Sequence, residues 1–385
     1  FAGTVIPGSS KLLITTKFPI NGAFGTAAAG GSFPLWLKTL GYDHVVITGR
    51  APKPIYIRLA QDQVELCDAA ALWGKDVFET VDALRAKYEP CSVLPIGPAG
   101  EHLVKVSVTS LDKGGTAGSG GLPAVMGSKN LKAVVAQMGT TPVAVAHRLN
   151  LMKTVDNLHS RMVSWPGRAS LLRNGRRPSS EEHLDVEHSL DNCEAAYPKM
   201  DSADWQRLIE LHRETRQNLA CPTCPLADKE RLTISSGPYA GLTTYNTNYL
   251  DRRFGSQTVE EEYAQQLSLA HDANRYGLCA IDYYYAFSFM THLYRRGLIN
   301  KEDTGMELKE DFDTCLKLAR MTAYREGFGN VIADGALEAA QRLGRDARSR
   351  TVLIKGRSIS WDPRMFSLGT MEFEEMVNPR GAHVA

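Results

Sequence analysis

The feature that most constrains this chain is a change of hydrophobic period near residue 146. Before it, short β-branched runs lie between turn residues: Leu12 to Thr16, His44 to Thr48, Ile55 to Leu59, Val64 to Cys67, Val104 to Thr109 and Ala133 to Gln137. Such runs bounded by Gly, Pro or Asp predict strands. Two stretches, Ser32 to Leu40 and Asp76 to Tyr88, carry helical spacing; the second puts Val77, Val81 and Leu84 on one face. After it, apolar residues recur every three or four positions in Leu149 to Val163, Asp204 to Asn218, Glu260 to Tyr276, Tyr283 to Arg296, Asp311 to Glu326 and Val331 to Leu343. Gly297, Gly327 and Gly344 stand just beyond three of these as C-terminal stops. The aromatic run Tyr283 to Phe289 reads as packing. Residues 164 to 203 are polar and aperiodic, a surface excursion. The β-type run Val352 to Ile354 opens a last segment.

The expected fold class is therefore α+β: an N-terminal double β-sheet domain followed by mostly helical domains. The divisions fall at 1–145, 146–350 and 351–385, and 385 residues exceed one ordinary core. The balance of 44 basic and 43 acidic residues, formally +1, gives no electrostatic case for nucleic acid or an anionic membrane. No apolar run approaches the roughly 18 residues of a membrane span. Seven scattered cysteines suggest a reducing compartment, taken as the cytoplasm. The chain starts at Phe1 and stops in what reads as a loop, so both true termini are expected to lie beyond it.

Chemistry concentrates in Cys221-Pro-Thr-Cys224-Pro-Leu-Ala-Asp228. Two thiolates three positions apart can grip a metal ion or two irons of a cluster from one turn of chain, and the prolines keep that turn non-helical. A zinc half-site, a redox pair and an accidental pair are the alternatives. Zinc wants a second pair, yet the other five cysteines stand alone; a redox pair wants a βαβ setting, whereas a helical pattern precedes it. The balance moves toward iron and sulfur. Glycine clusters at 22–31, 97–100 and 114–121 offer backbone N–H groups to a bulky anionic ligand, or form tight turns. None has a P-loop or Rossmann pattern.

These features occur in one order that resembles the tungsten-dependent aldehyde:ferredoxin oxidoreductase family. The likeness rests on Gly41-Tyr-Asp43 with Val-Val-Ile-Thr-Gly49, Lys53-Pro-Ile-Tyr-Ile57, Leu72-Trp-Gly-Lys75, Ile96-Gly-Pro-Ala-Gly-Glu101, Ala124-Val-Met-Gly-Ser-Lys-Asn-Leu-Lys-Ala133, Arg325-Glu-Gly-Phe-Gly329, Ala333-Asp-Gly335 and Asp362-Pro-Arg364. The resemblance implies a sheet base and two helical domains around tungsten held by two pyranopterins (molybdopterin). A [4Fe–4S] cluster, Mg²⁺ bridging the pterin phosphates, and ferredoxin or an electron-transfer subunit as partner come with it. The substrate would be a small carbonyl or acyl compound, and a homo-oligomer or hetero-complex is expected. A fourth cluster cysteine and a second pterin loop would fall beyond residue 385.

Residue by residue, the resemblance assigns Cys221, Cys224 and Asp228 to the cluster, with Asp228 where the family has a third cysteine. It assigns Asn274, Gly277, Leu278 and Cys279 to the first pterin loop, where Cys279 would serve the cluster, face the metal, or be a buried small hydrophobe. Lys11 takes the place of an arginine between pterin and cluster, Ala28 that of an asparagine, and Ser119 that of an arginine. Gly30, Gly31, Gly118, Gly120, Gly121 and Arg380 complete the expected cofactor contacts. His383, one position early, is the expected proton donor or acceptor, with Tyr245 standing in for a missing glutamate. The rival reading is a divergent scaffold or partner subunit that has lost the metal site.

Overall fold

A computed structural model describes residues 1–175, 189–190, 195–196, 201–245, 254–358, 377–378 and 380–381, with backbone alone at 189–190 and 195–196. The N-terminal part runs β1 (Lys11–Lys17), β2 (Phe24–Gly30), α1 (Phe33–Thr39), β3 (Ile55–Ala60), β4 (Gln63–Asp68), α2 (Val77–Tyr88), β5 (Cys91–Pro95), α3 (Pro98–Glu101), β6 (Thr109–Leu111), β7 (Gly115–Ala117), α4 (Leu122–Ser128) and β8 (Leu131–Gln137). Four strands form one sheet in the order β4-β3-β8-β5, with β3 and β8 parallel and the other pairs antiparallel. Alternate residues of β8 feed two cores. Leu131, Val134 and Ala136 meet Phe33 and Leu37 of α1, while Ala133 and Val135 meet Val81 and Leu84 of α2. Burial on both faces explains the apolar run from Ala133 to Ala136 in β8. Helix α2 starts at a capping box: Asp76 accepts from the Glu79 N–H at 2.8 Å and Glu79 accepts from the Asp76 N–H at 3.0 Å.

The remainder runs α5 (Arg148–Val163), α6 (Arg168–Asn174), β9 (Ser189–Leu190), β10 (Ala195–Ala196), α7 (Ser202–Thr215), β11 (Arg216–Leu219), β12 (Lys229–Thr233), β13 (Thr243–Tyr245), α8 (Val259–Tyr276), α9 (Ala280–Arg295), α10 (Lys301–Thr304), α11 (Phe312–Tyr324), α12 (Gly329–Ile332), α13 (Ala336–Leu343), β14 (Leu353–Ile354) and β15 (Arg357–Ser358). The fold is α+β, sheets first and then mostly helices. The aromatic run packs as expected: Tyr283, Phe287 and Phe289 are buried among α8, α9, α11 and α13. Val104 and Val106 of the N-terminal part join the same core. Asp334 is buried among Arg325 (2.9 Å), Arg342 and Lys105 (3.7 Å), which explains why Arg325 and Asp334 carried the resemblance. Among the described residues no helix is long and apolar enough to cross a membrane.

Five local expectations are corrected. His44 to Thr48 is irregular, with Val45 and Val46 exposed, because β3 takes β4 and β8 as its neighbours and leaves that run no partner. Val104 to Thr109 spends its backbone on loops: the Lys105 N–H goes to Ala333 O at 2.8 Å and the Val108 N–H to Gly277 O at 2.8 Å, so β6 begins only at Thr109. Helix α7 ends at Thr215, whose hydroxyl bonds back to Leu211 O at 2.9 Å, and Arg216 to Leu219 pair with β12 instead. The helix expected over 331–343 is broken at Gly335, which adopts φ +90°. The excursion over 164–203 contains α6.

Candidate functional site

The glycine cluster at 22–31 is mostly strand β2, paired with β1 so that Lys11 faces Gly30. Its small residues let other chain segments come close: a Cβ on Gly25 would lie 2.5 Å from the Phe18 ring, and one on Gly30 would lie 2.8 Å from Cys221 Sγ. A Cβ on Gly115 would lie 2.4 Å from Gly30 O and 2.9 Å from Lys229 Nζ. Three sequence-distant pieces thus meet at one point: the end of β1–β2, the start of the 114–121 loop, and the Cys-x2-Cys loop, which is the tip joining β11 to β12. Lys229 Nζ donates to the Gly30 carbonyl there. Burial pushes the Cys221 thiol above its ordinary range, opposed by the Lys229 ammonium, while burial pulls Lys229 down, opposed by Cys221. Lys11 lies close enough to lower Lys229 further. Lys229 was not anticipated from the sequence; a cation directly after Asp228 was the available sign.

Cys221 and Cys224 share a turn in which the Cys224 N–H reaches Cys221 O at 3.1 Å, with Thr223 at φ +65° and its hydroxyl on Ile6 O at 3.1 Å. Among the described residues no three His, Cys, Asp or Glu side chains form a group able to hold a metal ion. The Asp228 carboxylate and the Cys224 thiol both act on the Cys221 thiol, and Cys279 stands at the start of α9.

The expected pterin loop is the turn between α8 and α9. Asn274 Nδ2 donates to Tyr245 O at 2.6 Å and to Thr244 Oγ1 at 3.2 Å, tying β13 to α8. Gly277 ends α8 at φ +74°, a left-handed conformation that suits glycine. Leu278 pairs with Ser107, and the Cys279 N–H reaches Val106 O at 2.9 Å. Cys279 is buried at the start of α9; burial pushes its thiol up, Asp282 adds to this, and Arg357 opposes it.

Ser119 is buried and its hydroxyl accepts from Arg357 Nη2, which also lies 3.3 Å from Asp282 Oδ2. Arg380 donates to Gly118 O at 3.1 Å and Thr26 O at 2.8 Å. Gly31 accepts from Ser10 Oγ at 2.6 Å. Gly118, Gly120 and Gly121 each meet another part of the protein where a Cβ would stand: Val108 Cγ2 at 2.1 Å, the Phe18 ring at 2.8 Å, and Lys105 O at 2.8 Å. The glycines thus have a packing reason in addition to any ligand. Arg357 went unnoticed in the sequence because 238 residues separate it from Ser119.

Tyr245 lines a cleft of about 500 Å³ with Phe78, Lys113, Thr243, His271 and Arg275. Tyr245 and His271 both meet the Phe78 ring edge-on, each with centroids 5.6 Å away. His271 Nδ1 lies 2.7 Å from Thr243 O. A carbonyl can only accept, so Nδ1 carries the hydrogen and Nε2 is left as the acceptor of the neutral ring. The sequence held no signal for this histidine, which sits inside a regular helical pattern. His383 lies outside the described residues.

Comparison with known proteins follows the same lines. Residues 1–138 match the N-terminal domain of aldehyde ferredoxin oxidoreductase, and residues 182–385 match domains 2 and 3 of that family. A tungsten-containing aldehyde ferredoxin oxidoreductase of Pyrococcus abyssi is 30% identical over 357 residues, covering 89% of this chain and 57% of the relative. The WOR-like subunit of an aliphatic sulfonate oxidoreductase of Pyrococcus furiosus is 28% identical, covering 92% of this chain and 59% of the relative. Among solved structures, the active-site complex BamBC of benzoyl coenzyme A reductase, in complex with 1,5-dienoyl-CoA, superposes with a TM-score of 0.79 at 22% identity. That likeness covers 93% of this chain and 56% of the solved one, and is one of fold. The chain spans under two thirds of the length of these relatives.

Proposed function

Because the chain belongs to the aldehyde ferredoxin oxidoreductase family, we propose that it works as a tungstopterin oxidoreductase. Its reaction is the oxidation of an aldehyde or the reduction of the corresponding acid or acyl compound, with electrons exchanged with ferredoxin or an electron-transfer subunit. The observation that carries this is the meeting of β2, the 114–121 loop and the Cys-x2-Cys tip around Gly30, Cys221 and Lys229.

The residues fit an anionic pterin cofactor, since Arg357, beside Ser119, is a fully buried cation two of whose nitrogens have no partner among the described residues. The turn from Asn274 to Leu278, the loop from Gly118 to Gly121, and Lys11 would hold that cofactor, with Mg²⁺ at its phosphates. When bound, tungstopterin supplies the two-electron chemistry. The protein's part is placement and proton handling. The cleft wall of Phe78 and Tyr245 orients a carbonyl or acyl substrate and keeps water away from one face, while His271 Nε2 takes or returns a proton. For a [4Fe–4S] cluster, Cys221 and Cys224 would give two thiolates, with Asp228, whose charge acts on Cys221, as the third proposed ligand.

A second reading is a non-catalytic scaffold or partner subunit. Its specific support is the Lys229 ammonium, fixed on Gly30 O beside Cys221. Elemental analysis of anaerobically purified protein grown with tungstate separates the two. One tungsten with about four iron atoms per chain supports the redox enzyme with its cluster. Tungsten without iron supports the pterin enzyme alone. Neither tungsten nor molybdenum in folded protein overturns the enzyme reading and leaves the scaffold.

A further inference from the structure

Arg357 is the least explained side chain of the described residues. Its guanidinium is 0% exposed. Nη2 is used, on Ser119 Oγ and Asp282 Oδ2, but Nε and Nη1 are buried without a partner among the described residues. Its counter-charge there is Asp282, whose other oxygen is engaged by Ser358 Oγ at 2.6 Å. An arginine does not escape burial by losing its proton, which it keeps throughout the pH range in which proteins are folded. An unsatisfied buried donor on a cation is costly, and an acceptor offsets that cost.

The surroundings indicate the acceptor. Arg380, also buried, holds the carbonyl of Gly118, the residue next to Ser119. Two guanidinium groups from distant parts of the chain, at 357 and 380, are thus fixed on consecutive residues of one glycine-rich loop. Charged N–H groups bond strongly to oxyanions, and the Nε and Nη1 of Arg357, on either side of the occupied Nη2, would each take an oxygen of its own. Asp282 alone does not fill that demand, since it meets only Nη2.

We infer that Arg357, backed by Arg380, forms an oxyanion site at the 118–121 loop that takes the phosphate group of a phosphorylated ligand. Arg357 thereby restores from strand β15 the positive charge that Ser119 does not provide. The site itself rests on the buried guanidinium groups; that its phosphate belongs to a pterin cofactor rests on the proposed function.

The test uses the full chain purified without oxygen, from a host able to make the pterin and from one unable to. The variants are Arg357→Lys, Arg357→Met, Arg357→Met with Asp282→Asn, and Arg357→Met with Ser119→Arg. The third removes the ion pair as a unit, so that no buried carboxylate is stranded and the fold is kept, as circular dichroism will check. Two quantities are read: pterin retained after gel filtration, by fluorescence after oxidative release, and calorimetric binding of pyrophosphate to pterin-free protein. The expectation is at least about a tenfold loss of both in the two variants that lack an arginine and a lysine at these positions, with an intermediate loss in Arg357→Lys, whose single ammonium keeps the charge but not the spread of donors. Recovery is expected when the arginine is moved to position 119. Unchanged pterin content and unchanged pyrophosphate affinity in the folded double variant would overturn the inference and make Arg357 a structural ion-pair partner. Pyrophosphate binding that depends on Arg357 in a chain that never carries pterin would uphold the site and overturn the cofactor as its source. A wild-type chain that binds neither ligand overturns the site.

Discussion

Lys132→Met is the substitution whose consequence can be worked furthest. Lys132 is 0% exposed at the second position of β8, and its ammonium is held by Glu101, 2% exposed, and by Lys75 O at 2.6 Å. Methionine keeps most of the stem's volume and deletes the charge, stranding Glu101 with the Gly74 N–H at 2.8 Å as its remaining partner. Burial already pushes the Glu101 carboxyl above its ordinary range, with Lys132 opposing; without Lys132 it rises further. The loss has a ceiling, because Glu101 can take up a proton instead of staying charged. From an ordinary glutamate value near 4.3, protonation costs about 3.7 kcal/mol at pH 7 and about 1 kcal/mol at pH 5. This agrees with the roughly 3–5 kcal/mol found when one partner of a buried pair is removed. The sign follows: the folded variant holds a proton that the unfolded chain releases, so its stability falls as pH rises, by up to about 1.4 kcal/mol per unit above roughly pH 4.3. Urea unfolding followed by tryptophan fluorescence, which sees Trp36 and Trp73 in this part of the fold, measures it at both pH values. Lys132→Met with Glu101→Gln should remove the added pH dependence. A loss under about 1 kcal/mol at pH 7, or one equal at pH 5 and 7, would refute the reasoning.

Other perturbations have definite expectations. Burial raises the Asp334 carboxyl, but Arg325, Arg342 and Lys105 outweigh it and hold the group below its ordinary range. Its contribution is present above the ordinary aspartate value and is lost as pH falls through the lower folded one, so Asp334→Asn should destabilise by about 2 kcal/mol at pH 7 and flatten the acid limb of the stability profile. Gly118→Ala sets a Cβ 2.1 Å from Val108 Cγ2; it should lose about 1–3 kcal/mol in urea unfolding, much of it recovered by Val108→Ala. Asn274→Ala removes the bonds to Tyr245 O and Thr244 Oγ1. It should speed amide exchange in β13 by about tenfold, equivalent to about 1.4 kcal/mol, while leaving β8 unaffected.

Much of the fold was legible because local periodicity is strong where one face is buried. Helices α2, α5, α8, α9 and α11, and strands β1, β3, β4 and β8, lie within a few residues of their sequence patterns. The failures share one cause. Val45 and Val46 have strand composition but no neighbouring edge, and the run from Val104 to Val108 has that composition but bonds to Ala333 and Gly277. A strand is a pairing, and its partner lies elsewhere in the chain. The glycine cluster at 22–31 suggests a ligand loop or tight turns because a strand of small residues has no hydrophobic pattern; in the structure it is mostly strand β2, approached closely by Phe18 and Cys221.

By itself the sequence determined the class and order of the parts, α+β with sheets first, and through its ordered motifs the family. It also marked Cys221, Cys224, Asn274 and Gly277, because residue type and spacing are local properties. Tertiary structure alone decided that Lys229 stands beside Cys221, that His271 shares a cleft with Tyr245, and that Arg357 reaches Ser119. Chain closure joins residues hundreds of positions apart, and neither composition nor period encodes which distant charge will be buried against which loop.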